Sequence, residues 1–296
     1  GYNEYRALMT PDLQRPYDRG RGAEEQGLVY PNTDLRIRIG EARYHNAHGY
    51  AQIQSDWNDA WTTMVGVRYD DHSAYGSSVN PRLGVVWRAN ERHIFKALAG
   101  EAFRAPSPEE SLGTFGSFTG ARDAEGRYIG VGFRVPNDSI EPEVARTYSV
   151  TWDWRVRADL NLVTNVYHSR IRNLVVTQKQ AVPTQFIDAG EEVHHGIDWI
   201  AHWRFGLGAD WDGELWGSFS WVDGHIRETD GGPRRELSYV APRKVKLGAT
   251  FRHRDRLTIT PRLRWVDDTS TGRNNPLREG DRIRADGYVV ASLHVG

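Results

Sequence analysis

The sequence contains no cysteine, which excludes disulfides, thiolate nucleophiles and thiolate metal sites. It has no excess of one charge, since 38 Lys and Arg residues face 39 Asp and Glu residues. A nucleic-acid surface normally shows a basic excess, so we expect no nucleic-acid partner. The sequence has no apolar run of about 18 residues and no signal-peptide pattern at its start, which excludes a transmembrane helix but not a membrane β-barrel.

What the sequence does contain is repeated alternation of apolar and polar residues. Two such runs flank a polar break at 89–93 within the segment 80–110. Successive strand side chains point to opposite faces, so this segment predicts a strand, a tight turn and a strand. The residues expected on its apolar face are Leu83, Val85, Trp87, Phe95, Ala97, Ala99 and Phe103. Arg82, Arg88 and Lys96 fall on the opposite face, which predicts a sheet whose interior is wetter than its exterior.

The same alternation continues along residues 49–296 and predicts about eleven strands. Their connections are alternately short (58–59, 89–93, 157–159, 206–210 and 255) and mostly longer (after 73, 106, 178, 228 and 271). We therefore predict an all-β, antiparallel, up-and-down transmembrane barrel, here a partial one. Residues 1–48, with a modest alternating patch at 35–39, are predicted to be a long extracellular loop or strand end.

Two other β architectures are weighed against the barrel. A propeller would show a repeat of roughly 40–50 residues, and none is present. A soluble sandwich would bury the aromatic residues near the strand ends, whereas a membrane barrel would expose them to lipid as interfacial girdles. The strands also exceed the globular mode of about 5–6 residues. The aromatic residues in question are Trp57, Trp61, Trp152, Trp154 and Trp265.

No pattern in the sequence predicts a catalytic residue, a metal site or a cofactor. The nucleophile-elbow, P-loop, zincin and dinucleotide-binding signatures are absent. His194 and His195 are adjacent on a predicted strand and should point to opposite faces, so we interpret them as solvated residues and not as one metal site. The carboxylate pairs 109–110 and 141–143 are interpreted as loop charge, the alternative being a glycoside-hydrolysing pair.

The longest predicted loop, 107–141, contains aromatic and arginine residues. Guanidinium groups offer planar charged donors and stack on rings, a combination suited to an anionic, partly flat ligand. The alternative is a loop whose charges are merely solvated. The candidate ligand-binding residues are Phe115, Phe118, Arg122, Tyr128, Phe133 and Arg134.

Several ordered motifs resemble the barrel of TonB-dependent outer-membrane receptors. They are VGVRYDDHSAYGSSVNPRLGVVW, FKALAGEAFRAPSPEE, NDSIEPEVARTYSVTWDW, FIDAGEEVHHGIDWIAHW and VAPRKVKLGATF. The resemblance runs from about residue 49 to the end of the chain. The residues that carry it are Asn80, Pro81, Arg82, Phe103, Arg104, Pro106 and Glu109.

The resemblance implies a Gram-negative outer-membrane receptor that imports a scarce ligand with energy from the inner-membrane TonB system. Its family barrel has 22 strands and an N-terminal plug. Because about eleven strands cannot close that barrel, we expect a fragment without plug, TonB box or C-terminal end. The expected partners are outer-membrane lipid, the TonB system through the missing plug, and a small ligand such as a metal chelate. The expected ligand is siderophore-like, cobalamin-like or a glycan; the absence of His from 104–141 disfavours haem.

Two alternatives to an active-transport receptor remain at this stage. One is an outer-membrane enzyme on a β scaffold, and the other is a simple porin that discriminates by size and charge. Our expectation is a protein that binds and admits a ligand without breaking a bond, and is therefore not an enzyme.

Overall fold

The computed structural model describes residues 1–7, 42–112, 115–122, 128–135, 137, 139–178, 184–254, 256–271 and 284–296. Within these ranges no helix is long and apolar enough to cross a membrane. The side chains of 6–7, 42, 112, 115–122, 128–135 and 184 are outside the description. The elements in chain order are β1 (Tyr2–Ala7), β2 (Ala42–Asp56), β3 (Trp61–His72), β4 (Gly76–Arg88), β5 (His93–Arg104), α1 (Pro108–Leu112), β6 (Phe115–Arg122), β7 (Tyr128–Val135), β8 (Glu143–Arg157), β9 (Leu160–Gln178), β10 (Thr184–Gly206), β11 (Trp211–Arg227), β12 (Arg235–Glu236), β13 (Arg243–His253), β14 (Leu257–Val266), β15 (Thr269–Ser270), β16 (Arg284–Ala285) and β17 (Tyr288–Val295).

One open antiparallel sheet organises the chain. Its main path runs β1-β2-β3-β4-β5-β8-β9-β10-β11-β13-β14-β17. The strands on this path therefore follow one another across the sheet in the same order as along the chain. The fold class predicted from the sequence is confirmed. The path contains the eleven predicted strands and, in addition, β1, which pairs with β2 from Tyr2 opposite Ala47 to Ala7 opposite Ala42.

The register gives the sheet two distinct faces. Leu83 lies opposite Ala99 and Trp87 opposite Phe95, and Phe95 in turn lies opposite Trp152. Directly opposite residues share a face. The apolar side predicted for the β4–β5 hairpin therefore continues across the sheet. We call this side the outer face. The opposite side, which carries Arg82, Lys96 and their neighbours, we call the lumen face.

The outer face is exposed despite being apolar. Ile53 is 71% exposed, Val150 53% and Trp199 50%. Across the described residues, six apolar side chains are buried: Pro106, Ile140, Leu237, Ala241, Ala249 and Val266. A soluble sandwich would bury the outer-face residues between two sheets, so that alternative is excluded. An apolar face without a protein partner is what a lipid-facing barrel wall requires.

Aromatic rings on the outer face form a chain near the short connections. Trp61 stacks on Trp87 with ring centroids 5.5 Å apart, and Trp87 on Phe95 at 5.3 Å. Phe95 reaches Trp152 at 6.1 Å, and Trp152 reaches Trp154 at 5.3 Å. This arrangement fits the predicted girdle, which stays a prediction, since amphipathic rings concentrate at membrane–water interfaces.

The two rims of the sheet differ in the length of their connections. The segments 57–60, 89–92, 158–159 and 207–210 and the reversal from β13 to β14 form one rim, and the connections that follow Arg104, Arg227 and Val266 leave the sheet at the other. The loop predicted at 74–79 is shorter than expected, because only residues 73–75 separate β3 from β4. Strand β4 already begins at Gly76, where a positive φ of 75° allows a tight reversal that glycine tolerates without strain.

Two further expectations need correction. The regular pattern begins at Ala42 and not at 49, since β2 starts there. The insert 107–141, which shows little periodicity, contains a short helix and the hairpin β6–β7. This hairpin joins the sheet through two parallel pairs with β10, Arg134 with Thr184 and Val135 with Gln185. The alternating patch at 35–39 lies outside the described residues.

Candidate functional site

The most connected polar group at the long-connection rim is Arg104. It is the last residue of β5 and lies opposite Glu143, the first residue of β8. Its Nε and Nη2 atoms each donate a hydrogen bond of 2.7 Å to one of the two Glu143 carboxylate oxygens. Glu143 is only 8% exposed, and its Oε1 also accepts the backbone N–H of Val175 on β9 at 2.9 Å. A bidentate guanidinium–carboxylate pair is geometrically specific, so Arg104 fixes how β5, β8 and β9 end.

A second carboxylate reaches Arg104 from the helix that follows. Glu110 accepts from Nη1 at 3.2 Å and from Nη2 at 3.1 Å. We call Arg104, Glu110 and Glu143 the rim clamp. The expectation that Glu110 and Glu143 are loop charge is therefore wrong, because both are ion-paired with one guanidinium. A glycoside-hydrolysing pair would face a substrate across open space, whereas the rim clamp occupies that space with Arg104.

The local sequence explains why Glu110 points back toward Arg104. Ser107 is the N-cap of α1, Pro108 occupies the first helical position and Glu110 the third, which is the capping-box arrangement. The Glu110 carboxylate accepts the Ser107 backbone N–H at 2.7 Å, and the Ser107 hydroxyl accepts the Glu110 N–H at 3.3 Å. This signal was present in the sequence, and our sequence reasoning missed it.

Helix α1 is in turn docked on its surroundings. The Ser111 hydroxyl, 3% exposed, lies 3.1 Å from the Tyr75 hydroxyl in the β3–β4 turn. The backbone N–H of Asn137 donates to the Ser111 carbonyl at 3.1 Å. The Asn137 side-chain amide donates to the carbonyl of Phe186 on β10 at 2.8 Å. Both ends of the insert are thus fixed to the rim of the sheet.

A bulge in β9 fixes the segment that leads into β8. Asn173 has a positive φ of 55° and lies where the pairing with β10 changes register. Asparagine tolerates this backbone region better than most residues. Its amide donates to the Glu141 carboxylate at 3.0 Å, and the Glu141 backbone N–H donates to Asp188 at 2.8 Å.

The surroundings of Glu110 favour its ionised form. Burial alone would raise the pKa of this carboxyl group, but the Ser107 N–H and the Arg104 guanidinium outweigh it and hold the pKa below its ordinary value. At neutral pH Glu110 is therefore a charged partner for the Arg104 guanidinium.

The predicted ligand-binding residues all fall on the hairpin β6–β7. The pairing places Phe115 opposite Arg134, Phe118 opposite Gly130 and Arg122 opposite Tyr128. Phe133 lies beside Arg134 on β7. The backbone therefore gathers all six onto one two-stranded unit, which joins the sheet at the start of β10. Their role in binding stays a prediction.

The motif residues occupy several different positions. Asn80 is 4% exposed and lies opposite Arg68, whose guanidinium is bonded through two 2.7 Å contacts to the buried carboxylate of Asp70. Pro81 and Phe103 lie on the outer face, as their partners Val67 and Val144 do, and Pro106 is buried. Arg82 lies on the lumen face, and Glu109 is exposed on α1.

The histidine pair behaves as the alternation predicts. His194 contacts Glu192 at 3.1 Å on the lumen face, while His195 lies opposite His168 on the outer face with ring centroids 6.4 Å apart. In the part of the chain that the structure describes, no group of three His, Asp or Glu side chains is arranged to hold a metal. A third histidine, His72, is buried and stacks on Tyr75 with ring centroids 4.8 Å apart.

Comparison with protein families gives one match, described as TonB dependent receptor-like, beta-barrel, over residues 1–296. The chain belongs to this family. Outer-membrane localisation in a Gram-negative bacterium, expected from the sequence, follows from this membership. Comparison with curated protein sequences gives no match.

Solved receptors of this kind have the same fold. A mutant of the ferric enterobactin receptor PfeA of Pseudomonas aeruginosa, in complex with enterobactin, matches with a TM-score of 0.74 at 13% identity, over 99% of this chain and 42% of that one. The siderophore receptor PirA of Acinetobacter baumannii gives 0.71 at 13% identity, over 87% and 40%. The FrpB iron transporter of Neisseria meningitidis gives 0.64 at 18% identity, over 88% and 39%. This chain thus spans about two-fifths of the length of these receptors.

Proposed function

We propose that this chain forms part of the barrel wall of an active-transport receptor in the outer membrane. The complete receptor binds a scarce ligand at its extracellular loops and imports it with TonB-derived energy. Its partners are outer-membrane lipid, the TonB system through a plug domain, and the ligand itself. It admits the ligand without breaking a bond, so it is not an enzyme.

The observation that carries this proposal is the rim clamp. It combines a buried carboxylate with a bidentate guanidinium and holds both the strand ends and the start of α1. Such a rigid base beneath a loop with aromatic and arginine residues fits a binding loop, because a binding loop gains affinity when its ends are ordered in advance. The polar lumen face beneath it suits passage of a hydrophilic ligand.

The nature of the ligand is proposed from two sources. Structural neighbours are named as siderophore, ferric enterobactin and iron receptors. Arg122 and Arg134 supply cations, and the neighbouring aromatic residues supply flat surfaces, which suits an anionic metal chelate. We therefore favour a siderophore-like ligand over cobalamin or a glycan.

The test uses the complete receptor in a strain without other iron receptors. Residues 115–135 are replaced by a short Gly-Ser linker, which leaves the rim clamp and Asn137 intact. We expect uptake of radioactive iron, supplied as siderophores of several classes, to fall to background while surface expression stays the same. The matched control is Arg262→Gln on the lumen face of β14, with uptake retained. Unchanged uptake by the shortened receptor would rule out this loop as the binding loop.

A further inference from the structure

A cavity of about 580 Å³ lies at the short-connection rim, beside the turn that joins β8 to β9. It is lined by residues of that turn and of three neighbouring strands, β8, β9 and β10. We call this cavity the arginine pocket. Its polar lining residues are Arg155, Arg157, Asp159, Asn161, His202 and Arg204.

Four of these polar residues lie on the lumen face of the sheet. Arg155 lies opposite Asn161, and Asn161 lies opposite His202. Arg155 alternates in step with Ser149, which is on the lumen face of β8, so the three opposite residues share that face. Arg204 is two residues beyond His202 on β10 and points the same way. The arginine pocket is therefore part of the lumen wall and not of the lipid-facing wall.

A bulge in β8 separates two of the arginines. The pairing of β8 with β9 changes register between Arg155 and Arg157. Bulges are common at barrel rims and beside functional sites, because the extra residue re-aims a side chain. Arg157 lies over the ring of Trp203 on the outer face, 5.8 Å from its centroid, and donates to Asp159 at 3.2 Å. Arg157 is thus neutralised at the turn, whereas Arg155 still faces the lumen.

Two guanidinium groups of the arginine pocket keep their charge unbalanced. In the part of the chain that the structure describes, the side chains of Arg155 and Arg204 form no ion pair, and both residues are exposed. Glu214 lies opposite Arg204, but its carboxylate contacts His202 and, at 3.6 Å, Arg252. The lining as a whole has three guanidinium groups and a single carboxylate, so it favours an anion.

One polar atom of the lining also lacks a partner. Among the described residues, the Oδ1 atom of Asn161 is buried and accepts no hydrogen bond. Buried acceptors are nearly always satisfied, so an open one beside a cavity indicates a donor that the cavity receives. Asp153 also has an unpartnered buried oxygen, but it lies outside the lining.

We propose that the arginine pocket is the last subsite that the imported ligand occupies before it enters the periplasm. This inference rests on the proposed function, since its occupant is the anionic metal chelate favoured there. Arg155 and Arg204 hold the anionic groups of the chelate, because guanidinium groups match the geometry of oxyanions. A hydroxyl or amide group of the chelate donates to Asn161. The volume of about 580 Å³ is within the range of small-molecule sites.

The exposure of both guanidinium groups suits a site of release. Exposed charges are screened by water and salt, so they hold an anion only weakly. Conduction through a pore requires sites that a ligand both enters and leaves readily. We therefore expect the arginine pocket to affect passage of the ligand and not its capture at the extracellular loops.

The first experiment separates capture at the cell surface from passage into the cell. Complete receptors are compared in a strain without other iron receptors, with radioactive iron supplied as catecholate, hydroxamate and carboxylate siderophores. Arg155→Gln/Arg204→Gln should lower the initial uptake rate at least fivefold and change surface binding to de-energised cells by less than twofold. Arg155→Lys/Arg204→Lys, which keeps the charge, should retain at least half of the uptake. The matched control is Arg88→Gln, on the lumen face near the same rim but outside the pocket, with binding and uptake unchanged.

The possible results distinguish the pocket from the receptor function. Unchanged uptake by the glutamine variant, with uptake by the native receptor, overturns the pocket and leaves the proposed function standing. Equal loss in the lysine and glutamine variants assigns the two arginines to packing and also overturns it. If the native receptor takes up none of the siderophores, the proposed function fails and the pocket fails with it.

A second measurement detects a ligand in the arginine pocket directly. This chain contains no cysteine, so Ala158→Cys places one thiol in the turn that lines the pocket. Its alkylation by an uncharged maleimide is followed in outer-membrane fragments that contain the complete receptor, with any cysteine outside this chain replaced. A transported ferric siderophore should slow alkylation at least threefold, less so at high salt, and not in the Arg155→Gln/Arg204→Gln background; sucrose should have no effect. Equal rates with and without the siderophore contradict the proposal.

Discussion

The guanidinium of Arg104 and the carboxylate of Glu143 are joined by two hydrogen bonds of 2.7 Å, although 39 residues of chain separate them. The same Glu143 carboxylate accepts the N–H of Val175. One guanidinium therefore couples the end of β5 to the start of β8 and, through Glu143, to β9. It does so at the point from which the longest described insert leaves the sheet.

Replacing Arg104 by lysine should loosen this junction. Lysine keeps the charge but lacks the planar fork that engages both carboxylates, and hydrogen bonds to charged groups are worth about 1.5–3 kcal/mol. We expect hydrogen exchange at the amides of Ser107 and Val175 in the complete receptor to accelerate roughly tenfold or more, as a loss of about 1.4 kcal/mol implies. Arg82→Lys, on the lumen face of β4, should leave both amides unchanged.

The rim clamp should also weaken at low pH. The pKa of Glu110 lies below its ordinary value of 4.5, and a carboxylate whose pKa is depressed by folding stabilises the fold above its unfolded pKa. That contribution is lost as the pH falls below about 4.5 and through the folded pKa. We therefore expect local opening around α1 at acid pH and full protection at neutral pH.

This pH dependence is measurable because the chain contains no cysteine. Ser111→Cys supplies a single buried thiol, and its alkylation rate is compared with that in Ser111→Cys/Glu110→Gln, so the pH dependence of the reagent cancels. The double variant should react several-fold faster at neutral pH, and the two rates should converge below pH about 4.5. A constant ratio across the range would show that Glu110 does not hold α1.

Asn173 should tolerate glycine better than alanine. Its positive φ of 55° costs most residues about 1–2 kcal/mol, whereas glycine adopts it freely. Both changes lose the bond to Glu141, so the difference between them isolates the backbone conformation. We expect Asn173→Ala to be less stable than Asn173→Gly by about 1 kcal/mol in urea unfolding of the receptor in vesicles; equal stability would argue against the bulge.

The two faces of the sheet can be distinguished with neighbouring substitutions. Val150 lies on the outer face and Ser149 on the lumen face of β8. An arginine facing lipid near the bilayer midplane costs about 2–4 kcal/mol, whereas one facing an aqueous lumen costs far less. Val150→Arg should reduce the yield of folded barrel much more than Ser149→Arg. The opposite order would mean that the faces are reversed.

The sequence predicts the strands well because each strand has one face toward lipid and the other toward water. Val150 and Thr151 alternate in polarity for that reason, and so do Val245 and Lys246. Strand β1, which pairs with β2, is missed because its sequence YNEYRA is short and carries polar residues on both faces of the strand. The tight β3–β4 turn is missed because it depends on the backbone conformation of Gly76.

The candidate site is predicted less completely, for a physical reason. The motif FKALAGEAFRAPSPEE marks Arg104, but nothing local indicates that its partner is Glu143, since their contact follows from strand order. Glu110 was identifiable from Ser107 and Pro108, because a capping box is local in sequence. The register shift at Asn173 depends on pairing with β10 and has no signal in its neighbours.

We expect the rim bearing the rim clamp to face the cell exterior. The most direct measurement is labelling of single cysteines in intact cells with a membrane-impermeant maleimide. Asp230→Cys lies at the same rim as Arg104, and Glu91→Cys lies in a short connection at the opposite rim. We expect rapid labelling of the cysteine at 230, and labelling of the one at 91 only after the outer membrane is opened. The reverse pattern would mean that the rim clamp faces the periplasm.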